Sequence, residues 1–98
     1  MYGAFHISHR ENLRTHPVLG YLAGWVGSRA ADSPAVTPEE RHVTRNREVL
    51  YVMEGMGRVE IDGSCPDVRP GTVLKLDRGT PYRIQPSPDQ PIDVRRVA

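Results

Sequence analysis

His42 to Gly55 reads HVTRNREVLYVMEG, and Gly71 to Tyr82 reads GTVLKLDRGTPY. Within the first, REVLYVME (47–54) is rich in Val, Leu and Tyr and suits a buried strand. RVEID (58–62) alternates polar and apolar residues, as a half-buried strand does. TVLKL (72–76) is a further strand, and PYRIQ (81–85) returns after it. Turn chemistry separates these runs. Gly55 and Gly57 bracket Met56, Gly63-Ser64 closes a tight hairpin, Pro70 fixes a corner before Gly71, and Asp77-Arg78-Gly79-Thr80 reverses the chain. Short strands at such intervals belong to a sandwich or a barrel.

Outward from this centre the pattern continues. IDVRRV (92–97) makes a closing strand after a Pro-rich loop at 86–91. YGAFHIS (2–8) suits an edge strand, and VLGYLAGWVG (18–27) reads as another strand. Residues 28–40 form a polar loop, in which Thr37-Pro38-Glu39-Glu40 has the form of a helix start worth one turn at most. The total is about eight strands. An antiparallel set of that size folds into a double-sheet jelly roll, which hides most of its edges.

Composition limits the function classes. Ninety-eight residues suit one domain, which buries roughly two thirds of its unfolded surface; that leaves one core and one modest pocket. No run approaches the ~18 apolar residues of a membrane span, and MYGAFHISHR lacks the form of a secretory signal. A single cysteine, Cys65, gives no internal disulfide and no reason for an oxidising compartment. A cytoplasmic location is therefore expected. The net charge of +1 gives no footprint for nucleic acid. Of 13 basic residues only Lys75 is a lysine, and the scattered arginines read as compositional bias rather than as an anion site.

The two quoted stretches resemble the paired motifs of the cupins. In the first cupin motif two His one residue apart precede a Glu, and a Gly follows; His42, Glu48 and Gly55 fit, with Thr44 in place of the second His. In the second motif Gly71, Gly79 and Thr80-Pro81 fit. Asp77 replaces the usual Pro, Tyr82 the third His, and Pro86 an Asn; Val36 stands where a Gly often opens the first motif. The resemblance is close over residues 42–82 and implies a cupin-type double-stranded β-helix, a jelly-roll barrel of about eight strands spanning residues 1–98 as one domain. It also implies a metal site of three His and one Glu, from which only His42 and Glu48 carry over. In cupins an N-terminal arm, here residues 1–17, commonly lies along a neighbouring subunit. An exchanged arm and a homodimer are expected on that ground.

His42 and Glu48 keep three readings. One is a weak divalent-metal site completed by Tyr82, water or ligand, since imidazole and carboxylate both suit first-row ions. The second is a metal-free acid–base pocket, in which a Glu inside an apolar barrel works near neutral pH. The third is a remnant whose two groups satisfy each other. The resemblance favours a biosynthetic enzyme of isomerase, epimerase, lyase or cyclase type, with His42 and Glu48 transferring protons and Tyr82 orienting a small-molecule substrate. The alternatives are a non-catalytic small-molecule-binding module and, last, an oxygen-dependent metalloenzyme. Thr44, Tyr21, Trp25, Leu50 and Ile84 are the candidate substrate contacts. His6, His9 and His16 match no metal spacing and read as exposed arm residues, and Cys65 as inert.

Overall fold

The protein is described from a computed structural model, which covers residues 5–9 and 29–98. Its strands are β1 (Phe5–His9), β2 (Arg41–Val43), β3 (Glu48–Glu54), β4 (Gly57–Ile61), β5 (Asp67–Val68), β6 (Thr72–Leu76), β7 (Pro81–Pro86) and β8 (Asp93–Arg96). They form two antiparallel sheets of four, in the orders β1-β6-β3-β8 and β2-β7-β4-β5. Among the described strands only the β4–β5 hairpin keeps successive strands in one sheet; the others alternate between the sheets. That winding makes the molecule an all-β jelly roll.

Alternation along the strands builds the core. Leu50, Val52, Leu74, Leu76 and Val94 come from the first sheet and Val59, Ile61, Val68, Tyr82 and Ile84 from the second, all nearly inaccessible and packed in one cluster. The first sheet is apolar on its other face too, where Tyr51, Val73 and Val97 join Ala30 with Val49 and Met53 against them. This double burial explains why β3 and β6 read as almost continuous apolar runs, whereas β4, with one wet face, alternates strictly.

Five of the strand readings hold to within a residue or two at each end, and the cross-sheet geometry explains the exceptions. Residues 37–40 make no helical turn. The Glu39 N–H donates to Ile84 O at 2.8 Å, so β7 captures the backbone, and Glu39 takes the left-handed conformation at φ 67°. β5 is only two residues long, between Pro66 and Pro70, too short to show as a periodic run. β2 and β3 are not neighbours in one sheet but face each other across the barrel. The expected strand at 18–27, with Tyr21 and Trp25, lies outside the described residues, as does most of the arm with His16. Phe5–His9 pairs with β6 of its own chain.

Two glycines separate two costs. Gly55 (φ 82°) ends β3 where a Cβ would collide with the Pro91 carbonyl oxygen and Ile92 Cα, both backbone. Gly63 (φ 85°) has the same handedness but open space around it. Gly63→Ala is expected to lose only about 1–2 kcal/mol from the left-handed conformation, and Gly55→Ala about 3 kcal/mol or more, because backbone must also move. Urea denaturation of both variants measures this; equal losses would contradict the close approach at Gly55.

Candidate functional site

The interior is apolar along most of its length and polar at one end. Four strands supply that end. His42 on β2 lies directly across from Tyr82 on β7, and their rings stack at 5.1 Å between centroids and 22° between planes. Glu48 opens β3, and Arg96 ends β8 in the neighbouring position of the same sheet, across from Leu50. Leu50 and Ile84, both fully buried, lie one step deeper and form part of an apolar floor.

Arg96 ties these groups together. Its Nε donates to Glu48 Oε1 at 2.9 Å, and its Nη2 donates to Tyr82 Oη at 3.3 Å. The second bond crosses from one sheet to the other. Glu48 Oε2 accepts from the Arg45 N–H at 3.3 Å. The Glu48 side chain is 12% exposed and that of Arg96 41%, so the pair sits at a mouth, with the carboxylate inside and the guanidinium reaching water. Nη1 of Arg96 donates to none of the described residues. On the far side His42 Nε2 lies 3.0 Å from Thr37 O. A carbonyl only accepts, so Nε2 is the donor in this contact.

Thr44 is spent on structure. Its hydroxyl donates to Asp77 O at 2.6 Å and accepts from the Thr80 N–H at 2.9 Å, while its backbone pairs with Thr80 and Gly79. Thr80 adds a bond of its own to Asp77 O. This staple fastens the 77–80 turn to the end of β2 and so fixes where β7, and with it Tyr82, begins. Cys65 is exposed and free.

The donor set does not fit a divalent ion. One oxygen of Glu48 already faces a cation, one nitrogen of His42 is committed to Thr37, and the Thr44 hydroxyl is used. Among the described residues no three His, Cys, Asp or Glu side chains stand together as metal ligands do. Tyr82 would have to bind as phenolate. Burial pushes its phenol above the ordinary 10.0; the bond from Arg96 opposes that rise and the Glu48 charge adds to it.

Arg96 is the residue that reading the sequence missed. A signal was present: Ile92, Val94 and Arg96 alternate along one strand, the first two are buried, and the third shares their face.

A concavity of about 390 Å³ is lined by Arg41, Arg83, Glu60 and Asp62, whose charges balance, together with Pro81 and Tyr82.

The raised phenol makes a pH statement with a definite sign. A group whose pKa is higher folded than unfolded stabilises the fold below the unfolded value and loses that contribution as pH rises. Stability is therefore expected to fall above pH about 10, and Tyr82→Phe to remove part of that fall. Denaturation midpoints on either side of that pH test it, alongside ultraviolet difference spectra of wild type and variant. Ionisation of Tyr82 below its ordinary range would overturn the assignment.

Comparison with known proteins places this geometry. The pattern of the AraC-like ligand binding domain family matches residues 29–98, more than half of the chain. A DUF861 family protein from Thermotoga maritima superposes with a TM-score of 0.60 at 15% identity, over 95% of this chain and 97% of the other. At that identity the likeness is one of fold. No curated protein matches the sequence. The barrel with its glycine-marked turns, together with the family match over β2 to β8, identifies the chain as a small cupin domain that belongs to the AraC-like ligand-binding domain family.

Proposed function

We propose that the domain binds a small, neutral, hydroxyl-bearing molecule at the polar end of the barrel and performs no chemistry on it. The observation that carries this is the partly exposed Arg96 guanidinium, whose Nη1 donates to none of the described residues, with Glu48 beside it. Together they offer a ligand a donor and an acceptor within one short span. Their charges cancel, so no net field favours an anion, and a ligand carboxylate would have to displace Glu48 from its partner. The stacked His42 and Tyr82 lie beside this pair, and the fully buried Leu50 and Ile84 close the interior beneath it.

The acid–base enzyme suggested by the sequence has less support. The carboxylate of Glu48 is paired to Arg96 and held by the Arg45 N–H, which positions it as an acceptor for a ligand hydroxyl. Membership of a ligand-binding family points the same way.

Isothermal titration of the full chain with a panel of neutral polyols and hydroxyketones, each beside its carboxylate analogue, tests the reading. Saturable binding of a neutral compound is expected. Glu48→Gln should weaken it at least about tenfold, which corresponds to about 1.4 kcal/mol. Preference for the carboxylates would overturn the ligand class. Turnover abolished by Glu48→Gln would restore the enzyme.

The homodimer belongs to the same proposal. β1 occupies the edge of its sheet beside β6, and an exchanged arm from a second chain would make the same pairing. Light scattering at micromolar concentration is expected to give a dimer mass, and a monomer mass would refute it.

A further inference from the structure

We infer that Arg96 is a built-in cation standing in for a metal ion: it occupies the charge-neutralising position between Glu48 and Tyr82, and while it is there the site excludes free divalent metal.

Three observations support this. The guanidinium bonds to Glu48 at 2.9 Å and to Tyr82 at 3.3 Å, which are two of the side chains an ion in the barrel would need. They come from opposite sheets, and the one guanidinium serves both by bridging between them. An arginine cannot be deprotonated in water, and these contacts raise its affinity for the proton further, so the charge does not come and go with pH. A divalent ion approaching Glu48 would meet a positive charge at contact distance, screened only in part because that charge reaches water on one side. The exclusion therefore rests on charge as well as on a sparse donor set: with the guanidinium removed, the Glu48 oxygens would no longer face a cation.

The guanidinium also changes what a ligand meets. An ion offers open coordination positions in several directions. The planar fork of Arg96 offers only its remaining N–H donors, in one plane.

The test is metal content and Ni²⁺ affinity of the full chain. Protein purified without chelator is analysed for bound elements and titrated with Ni²⁺, as wild type, Arg96→Met, Arg96→Lys and Arg96→Met/Glu48→Gln. Wild type is expected to carry no stoichiometric metal. Arg96→Met should bind Ni²⁺ at least about tenfold more tightly, the scale on which neighbouring groups tune metal sites. Arg96→Lys keeps the charge and should resemble wild type. The double variant should lose the gain, which separates the barrel from the N-terminal histidines. Stoichiometric metal in the wild type would overturn the inference, as would a folded Arg96→Met with no gain or a gain equal to that of Arg96→Lys. Arg96→Gln serves if the Met variant does not fold, and the wild-type analysis needs no variant. Metal content and polyol affinity are separate readouts, so either can fail while the other holds.

Discussion

The Arg96 guanidinium donates to Glu48 on its own sheet and to Tyr82 on the opposite one, and the arrangement of the barrel's polar end follows from those two bonds. A carboxylate that is only 12% exposed needs a partner, since an unpaired buried charge is far costlier than a paired one. Arg96 provides it from the neighbouring strand, with its own head reaching solvent, so only one of the two charges is deeply desolvated. The bond to Tyr82 then fixes the phenol, and the stacking of Tyr82 on His42 fixes the imidazole in turn. Four side chains from four strands are thereby held in order: Glu48, Arg96, Tyr82, His42.

The rest of the barrel makes that order possible by being dry. Tyr82 is the largest fully buried side chain among the described residues, and its core cluster is otherwise aliphatic and drawn from both sheets. In such surroundings each polar contact at the end counts for more than it would in water, and each missing one costs more. No buried side-chain nitrogen or oxygen among the described residues lacks a partner. The Thr44–Asp77–Thr80 staple is part of that satisfaction. It replaces what a ligand histidine at position 44 would do in a metal-bearing barrel with a turn lock that sets the start of β7.

Much of the fold was legible because it rests on local rules. Glycines where the backbone turns left-handed, a proline at a corner and strict alternation on a one-faced strand all act within a few residues, and they marked β3, β4, β6 and β7 closely. What escaped was decided over long range. Thr37–Glu40 carries sound helix-start chemistry, but the Ile84 carbonyl claims the Glu39 N–H first. Thr44 looked like a pocket residue because it lies two from His42, yet β2 ends at Val43, and beyond it the turn at 77–80 takes the hydroxyl. Arg96 escaped for another reason. Motif reading looks for ligands where a family keeps them, and this cation enters from β8, a strand outside both motifs. Its parity with Ile92 and Val94 was the clue, and parity becomes a clue only once the interior face of that strand is known.

β8 also shows how one short strand can serve two tasks. Successive residues on a strand point to opposite faces, and two adjacent arginines use both. Arg96 turns inward to the site. Arg95 turns outward, forks onto Asp93 at 2.7 and 3.0 Å, and donates to the carbonyls of Ala30, Ala31 and Ser33. The strand's backbone adds the Arg96 N–H to Pro34 O, and Val36 N–H returns to Val94 O. The segment from Ala30 to Val36 is therefore fastened to the same few residues that carry the interior cation. Arg95 and Arg96 share a peptide plane, so the geometry of the clamp and that of the site cannot be set independently. A lysine in place of either would keep the charge but lose the fork on which both arrangements depend. The sequence pair Arg-Arg at the end of the domain is thus two different structural statements, distinguished only by which side of the sheet each one faces.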